Sequence, residues 1–382
     1  MRRRMRGLAV AAVALTSVLS MAACAKDTGG NTGGSGSTNT AEGCKLADKP
    51  AAASATSSAS NAGEKIDGSA LKVGLAYDIG GRGDASFNDS AAAGLDKAKA
   101  DYGIKPENVK ELTAAPNEAE DAKQTRLRQL ASEGFSPIIG VGFAYAESLK
   151  VVAPEFPDVK FAIVDGAVEG AANVTPLVFA EEQGSFLAGV IAAYQSKSCH
   201  VGFVGGVEIP LIQKFQAGFE QGAKAAAPDV KIEEKYLTPA GDFTGFQDPT
   251  KGQEAATGQI EAGADVLYHA AGASGKGVFS AAKTANVKAI GVDSDQYNQT
   301  TVAESKDVIV SSMLKRVDVA VYDFVGAVAK NDLASLPKVF DLKVDGVGYS
   351  TSGGKIDAAL QEVLEGYKAQ IIEGKITVKS TP

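Results

Sequence analysis

From residue 70 onward, short apolar runs alternate with longer stretches whose apolar positions recur every three or four residues. The runs at 73–77, 109–113, 137–141, 160–164 and 175–179 read as buried strands, and the stretches at 90–102, 119–133, 145–153 and 183–195 as amphipathic helices. This is the rhythm of a βαβ series, which builds a parallel sheet covered by helices on both faces. The rhythm then starts again. Strands at 201–204, 232–237, 266–270 and 288–292 alternate with helices at 216–226, 249–262 and 277–285, and a further apolar run covers 308–314.

The restart repeats a local motif. GGRGDASFNDSAAAGLDKAK follows the first strand, and GGVEIPLIQKFQAGFEQGAK follows the strand at 201–204. Each has paired glycines, a loop, a phenylalanine and a glycine-containing helix ending in Ala-Lys. Two similar lobes, each with its own sheet, fit both this repeat and a length of 382 residues.

The chain ahead of residue 70 has a different character. Arg2, Arg3, Arg4 and Arg6 precede a short apolar stretch at 8–21 and the small residues Ala22 and Ala23, which together read as a secretory signal too short to span a bilayer. Small residues directly before Cys24 resemble the bacterial lipobox, which implies that residues 1–23 leave and that Cys24 is acylated. Residues 24–69 then form a lipid-anchored linker, rich in Gly, Ser, Thr, Asn and Ala and too poor in large apolar residues to bury a core. Losing the signal takes four arginines, so 34 basic side chains face 46 acidic ones and the formal charge moves from −8 to −12. An acidic surface argues against nucleic-acid polymers as partners. No later stretch is long and apolar enough to cross a membrane.

With Cys24 acylated, Cys44 and Cys199 remain. Either they form a disulfide that pins the linker to the body, or Cys199 is a small buried residue before a strand and Cys44 is free. The bridge is the expectation, since free exposed thiols are uncommon outside the cell.

The chemistry concentrates at predicted strand ends, where open α/β sheets bind ligands. Asp78 ends the first strand, and Gly80, Gly81 and Gly83 let the backbone turn tightly. Phe87 and Asn88 follow at the start of a helix that Ser86, Asn88 or Asp89 could cap. Together these residues offer an acceptor, a flat apolar face and an amide that both donates and accepts. The plainer reading makes Phe87 a core staple and the polar pair turn formers. Phe215 occupies the equivalent point of the second lobe, so a planar ligand between the two rings would be stacked on both faces. Asp293 ends the strand at 288–292 and Lys315 follows the strand at 308–314, a carboxylate and an ammonium suited to vicinal sugar hydroxyls. Gly272, Gly275 and Gly277 would let backbone N–H groups approach. The plainer alternatives are a structural salt bridge near a hinge for Asp293 and Lys315, and an ordinary turn for the glycines.

Several motifs are similar to those of the basic membrane protein, or PnrA-like, family of bacterial lipoproteins. The sharpest is Asp78-Ile-Gly-Gly-Arg-Gly-Asp-Ala-Ser86-Phe87-Asn88; the segments ending at Asp165, opening at Glu181, turning at Asp293 to Asp295 and running from Ser311 to Lys315 match as well. The resemblance implies an α/β protein of the type I periplasmic-binding-protein fold: two Rossmann-like lobes with parallel sheets joined by a three-segment hinge. One lobe would hold 70–180 plus about 309–337, the other 181–308 plus about 338–382, with crossovers near 179–182, 307–314 and 337–340. It also implies the substrate-binding subunit of an ABC importer, a monomer that captures a nucleoside, purine above pyrimidine, and hands it to permease and ATPase subunits. The protein would sit outside the cell, lipid-anchored to the outer face of the cytoplasmic membrane. Phe87 and Phe215 would sandwich the base and Asp78 and Asn88 would read its edge. Asp293, Lys315 and the Gly272 region would hold the ribose. Asp165 is either a further contact or a strand-end turn residue.

Other functions find less support. A free sugar is the nearest rival ligand, and a surface adhesin or sensor would leave the cleft residues without a task. A nucleoside hydrolase would need machinery that is missing: His200 and His269 have no metal-ligand spacing, and neither a Gly-x-Ser-x-Gly elbow nor a P-loop occurs. Neither cofactor, metal nor enzymatic activity is expected.

Overall fold

A computed structural model describes residues 43–51, 65–116 and 118–382. The signal and Cys24 lie outside the described residues. The first lobe opens with β1 (Val73–Tyr77), α1 (Phe87–Asp101), β2 (Val109–Thr113), α2 (Glu120–Ser132), β3 (Ile138–Gly140), α3 (Ala146–Val152), β4 (Phe161–Val164) and β5 (Val174–Leu177). Its sheet is parallel throughout, in the order β2-β1-β3-β4-β5.

The second lobe holds α4 (Glu181–Gln195), β6 (His200–Val207), α5 (Pro210–Ala226), β7 (Lys231–Thr238), α6 (Pro249–Glu261), β8 (Val266–Ala270), α7 (Gly275–Ala285), β9 (Lys288–Asp293) and β10 (Ile309–Lys315). Its strands run β7-β6-β8-β9-β10, the first lobe's order repeated, and β11 (Val347–Tyr349) is added antiparallel at the edge. In each lobe the strand order reverses beside the first strand. That is where an open sheet leaves a crevice at its carboxyl ends, and the duplicated motif follows this strand in both lobes.

Two expectations need correction. The sequence reading places the run at 309–315 in the first lobe, but β10 pairs with β9 in the second sheet, with Ser312 beside Gly291 and Met313 beside Val292. The chain therefore crosses at Arg316, and α8 (Val317–Lys330) returns to the first lobe, against α1. A run of apolar residues announces a buried strand without saying which sheet it joins. Second, α5 begins at Pro210 rather than 216, because proline at the first helical position lacks only an N–H that would be unpaired anyway. Beyond those expectations lie α8, β11 and α9 (Ala358–Ile372). The last is capped by Asp357, whose side chain accepts from Leu360 N, and buries Leu360, Val363, Leu364, Tyr367 and Ile371, a helical spacing legible in the sequence.

The other crossovers run side by side. Phe340 N donates to Val178 O at 2.9 Å and Ala180 N to Phe340 O at 3.2 Å, with the Phe179 and Phe340 rings 5.2 Å apart. Parts of the expected linker are fixed on the body. Cys44 and Cys199 form a disulfide, Gly43 N donates to Lys197 O and Ala47 N to Ala226 O, all on the second lobe; Gly68 N donates to Tyr102 O on the first.

Helices α4 and α5 touch backbone to backbone. A Cβ at Gly222 would lie 1.9 Å from Phe186 O, and one at Gly189 would lie 2.0 Å from Phe219 O. Overpacking a close-fitted interface costs about 1–3 kcal/mol, occasionally more. Gly222→Ala is expected to lower the unfolding free energy by the upper part of that range, read as a fall in the denaturant midpoint. Gly258→Ala, in helix α6 with open space around its Cα, should leave the midpoint level or raise it slightly.

Candidate ligand-binding site

The carboxyl ends of both sheets face one cleft, the place where open α/β sheets bind ligands. Asp78, Phe87, Asn88, Asp165, Phe215, Gly272, Asp293 and Lys315 all line it. Two sequences more than 100 residues apart are thus brought to one cavity by the repeated strand order.

The first lobe contributes a preformed loop between β1 and α1. Gly80, Gly81, Gly83 and Ala85 all have positive φ. Buried Asp84 holds this turn by accepting from Ser86 N, Asn88 N, Asp89 N and Asn88 Nδ2, while Asp89 accepts from Gly83 N and Ala85 N. Asp84 thus serves the orphan amides at the start of α1, a task expected of Ser86, Asn88 or Asp89; Ser86 makes no side-chain cap bond. Burial pushes the Asp84 carboxyl up to about 6, against those amide bonds.

Asp78 accepts from Ile79 N at 2.7 Å, and burial pushes it too up to about 6. Its other oxygen lies where a side chain on Gly142 would be, 2.5 Å from that Cβ, so glycine is required there on space as well as on a φ of 111°. Asn88 is more committed than its sequence position suggests. Its Nδ2 donates to Ile79 O and Asp84 Oδ2, and its Oδ1 accepts from Asp78 N. Both amide hydrogens are engaged in holding the loop, leaving only acceptor capacity on Oδ1.

At the floor, Lys315 is 1% exposed and carries the cleft's charge balance. Its Nζ lies 2.6 Å from Asp165 Oδ2 and 3.3 Å from Glu181 Oε1. The ring centroids of Phe179, Phe87 and Phe215 stand at 5.1, 5.2 and 5.5 Å, close enough for cation–π attraction. Burial works against the ammonium, but Asp165, Glu181 and Asp293 outweigh it and hold Lys315 protonated above its ordinary range. Burial also raises the carboxyls of Asp165 and Asp293, more than Lys315 lowers them. The second Asp165 oxygen, Oδ1, is buried without a hydrogen-bond partner.

One lysine among so many carboxylates makes the cleft rich in acceptors. It suits a neutral ligand carrying O–H and N–H donors and opposes an anion, whose charge would be buried against like charge. The remaining walls are apolar: Phe143, Leu211, Ile212 and Phe246. Sequence reasoning missed Asp84, Glu181 and the aromatic residues Phe143, Phe179 and Phe246. Glu181 stands inside a quoted motif, at the first position of α4, but nothing local marks it as a partner of Lys315 or of Lys214, 3.1 Å away. His269, without metal-ligand spacing in the sequence, is buried with neither ring nitrogen hydrogen-bonded, edge-on to Phe279, and burial lowers its pKa to about 4.

Among the described residues no helix is long and apolar enough to cross a membrane, and no three His, Cys, Asp or Glu side chains are grouped to hold a metal.

Comparison with known proteins bears on the whole of both lobes. The profile of the Bmp family, described as ABC transporter substrate-binding protein PnrA-like, matches residues 70–381. The CD4+ T-cell-stimulating antigen of Listeria monocytogenes is 35% identical over 81% of this chain and 88% of its own. The ABC transporter nucleoside-binding protein BmpA of Lactococcus lactis is 34% identical over 81% and 89%. Among solved structures, an ABC transporter solute-binding protein from Aeropyrum pernix superposes with a TM-score of 0.68 at 28% identity, over 81% of this chain and 93% of that one. With the fold, the cleft and the sequence match in agreement from end to end of the two lobes, the chain belongs to the PnrA-like family of ABC transporter substrate-binding proteins.

Proposed function

We propose that this substrate-binding protein captures nucleosides, purines above pyrimidines, and delivers them to the permease and ATPase of an importer from a lipid anchor at Cys24. The observation that carries the reading is the pairing, in one cleft, of phenylalanines from opposite lobes with a floor of carboxylates around a single lysine. Phe87 and Phe215 take the two faces of the base, and a purine covers more of each ring than a pyrimidine. Asp78 accepts from an N–H on the base edge, with Asn88 Oδ1 as a second acceptor. Asp293 and the free oxygen of Asp165 accept from ribose hydroxyls, Lys315 donates to them, and the backbone at Gly272 closes around the sugar. The Lactococcus relative's name supports the same ligand class. A phosphate would meet the carboxylates with Lys315 alone to offset it, so nucleotides are excluded.

Calorimetry on protein unfolded, stripped and refolded tests this. Inosine, guanosine and adenosine are expected to bind tightly, with cytidine weaker and ribose or AMP giving no heat. Because Asp78 must accept from the base, affinity should hold above about pH 6 and fall as the carboxyl protonates below it. Tight binding of ribose with no heat from any purine nucleoside would overturn the reading.

A further inference from the structure

The loop that caps α1 also crosses the cleft. Ser86, fully buried, donates from its Oγ to Asp293 Oδ2 at 2.6 Å, with Val292 O at 3.4 Å. The second lobe answers with three donors to the same loop. Ser294 Oγ donates to Ser86 O at 2.7 Å, Gln296 Nε2 to Ala85 O at 3.0 Å and Lys276 Nζ to Gly83 O at 2.5 Å. Between these bonds Ala85, in the left-handed region with φ 63° and wholly buried, joins an apolar cluster whose other members, Phe279 and Ala282 among them, belong to the second lobe. A non-glycine residue held at positive φ stores strain unless its surroundings fix it. Here they do so from both sides: Asp84 and Asp89 from its own lobe, Gln296 and Phe279 from the other.

We propose that residues 83–86 form a latch between the lobes and that Ser86 is a positioning residue for Asp293. Asp293 also has positive φ, 62°, and sits on the last position of β9. Its Oδ2 is oriented by a hydroxyl from the opposite lobe, so the carboxylate is aimed at the ligand only while the lobes are together. Closure and recognition of the sugar hydroxyls then become one event, since each favours the other. The latch uses protein atoms alone, and neither Ser86 nor Lys276 lines the cleft. The aiming of Asp293 at a sugar rests on the nucleoside reading; the latch does not.

The test compares wild type, Ser86→Ala and Lys276→Met, each stripped of ligand and refolded. Small-angle scattering without ligand should give both variants a larger radius of gyration than wild type, with unfolding midpoints that change little. Inosine should dissociate about tenfold faster from Ser86→Ala, the scale of losing a hydrogen bond to a charged group. The preference for inosine over hypoxanthine should shrink in Ser86→Ala, because hypoxanthine has no ribose for Asp293 to read, and should persist in Lys276→Met. A radius in both variants equal to that of wild type would overturn the latch, as would a wild type as open as the variants. An unchanged inosine-to-hypoxanthine ratio in Ser86→Ala would overturn the positioning role. Variants that open while wild type binds no nucleoside would sink the ligand assignment and leave the latch standing.

Discussion

Lys315→Met is expected to lower the unfolding free energy by about 3–5 kcal/mol, the usual cost of breaking a buried ion pair by removing one partner, and to abolish ligand capture. Methionine fills the space among the three phenylalanines, so the loss is electrostatic rather than a cavity. Without the ammonium, Asp165, Glu181 and Asp293 are left as buried carboxylates, of which Glu181 keeps its ion pair with Lys214. Burial already raises the carboxyls of Asp165 and Asp293; losing the ammonium raises these two further above their unfolded values, so they take up protons. A carboxyl raised in the folded state is most stabilising below its unfolded pKa, and that contribution is lost as pH rises through the folded value. The gap between wild type and variant should therefore be widest at neutral pH and narrow in acid. Denaturant titrations across that range measure it. Asp165→Asn in the same chain should restore part of the stability, because one of the stranded charges is gone. Equal midpoints for wild type and Lys315→Met at neutral pH would show that the cluster contributes little.

The second large effect falls on Phe87. Stacking of a base on an aromatic ring is worth about 1–3 kcal/mol, which is roughly 5- to 150-fold in affinity. Phe87→Leu keeps most of the apolar volume and loses the flat face, so nucleoside affinity should fall within that range while the unfolding midpoint stays close to wild type. Phe87 is half-buried at the head of α1, and this makes it the cleaner of the two rings to change. Phe215 is almost fully buried and packs into the core of the second lobe, so its truncation mixes a folding cost with the binding loss. Calorimetry with inosine checks the affinity; a Phe87→Leu protein that binds inosine like wild type would remove the ring from the site.

The sequence made the lobes readable because each βα unit carries its own local signal. Val73–Tyr77 is a buried strand by composition, and the glycines and aspartates after it announce a turn toward a ligand. The eight cleft residues named from motifs all reach one cavity, since strand order sends the ends of β1, β4, β9 and β10 there. What stayed hidden is pairing over long separation. Ser86 and Asp293 are 207 residues apart, and Lys315 and Asp165 are 150 apart. Local pattern carries no information about such partners. For the same reason the hydroxyl of Ser86 read as a cap, the amide of Asn88 as a free reader, and the strand at 309–315 as part of the wrong sheet.

The disulfide between Cys44 and Cys199 decides where a pull on the N-terminal side of the chain enters the body. Gly43, Cys44 and Ala47 are all fastened to the second lobe, so tension arriving from that side is taken up there and does not load the three crossovers. In mechanical terms the second lobe is the stator and the first lobe the moving arm. Reduction of the bridge would leave that mooring to the hydrogen bonds of Gly43 and Ala47 and to the contact of Pro50 with Gly366, and would shift the point of load along the chain toward Gly68, on the arm itself.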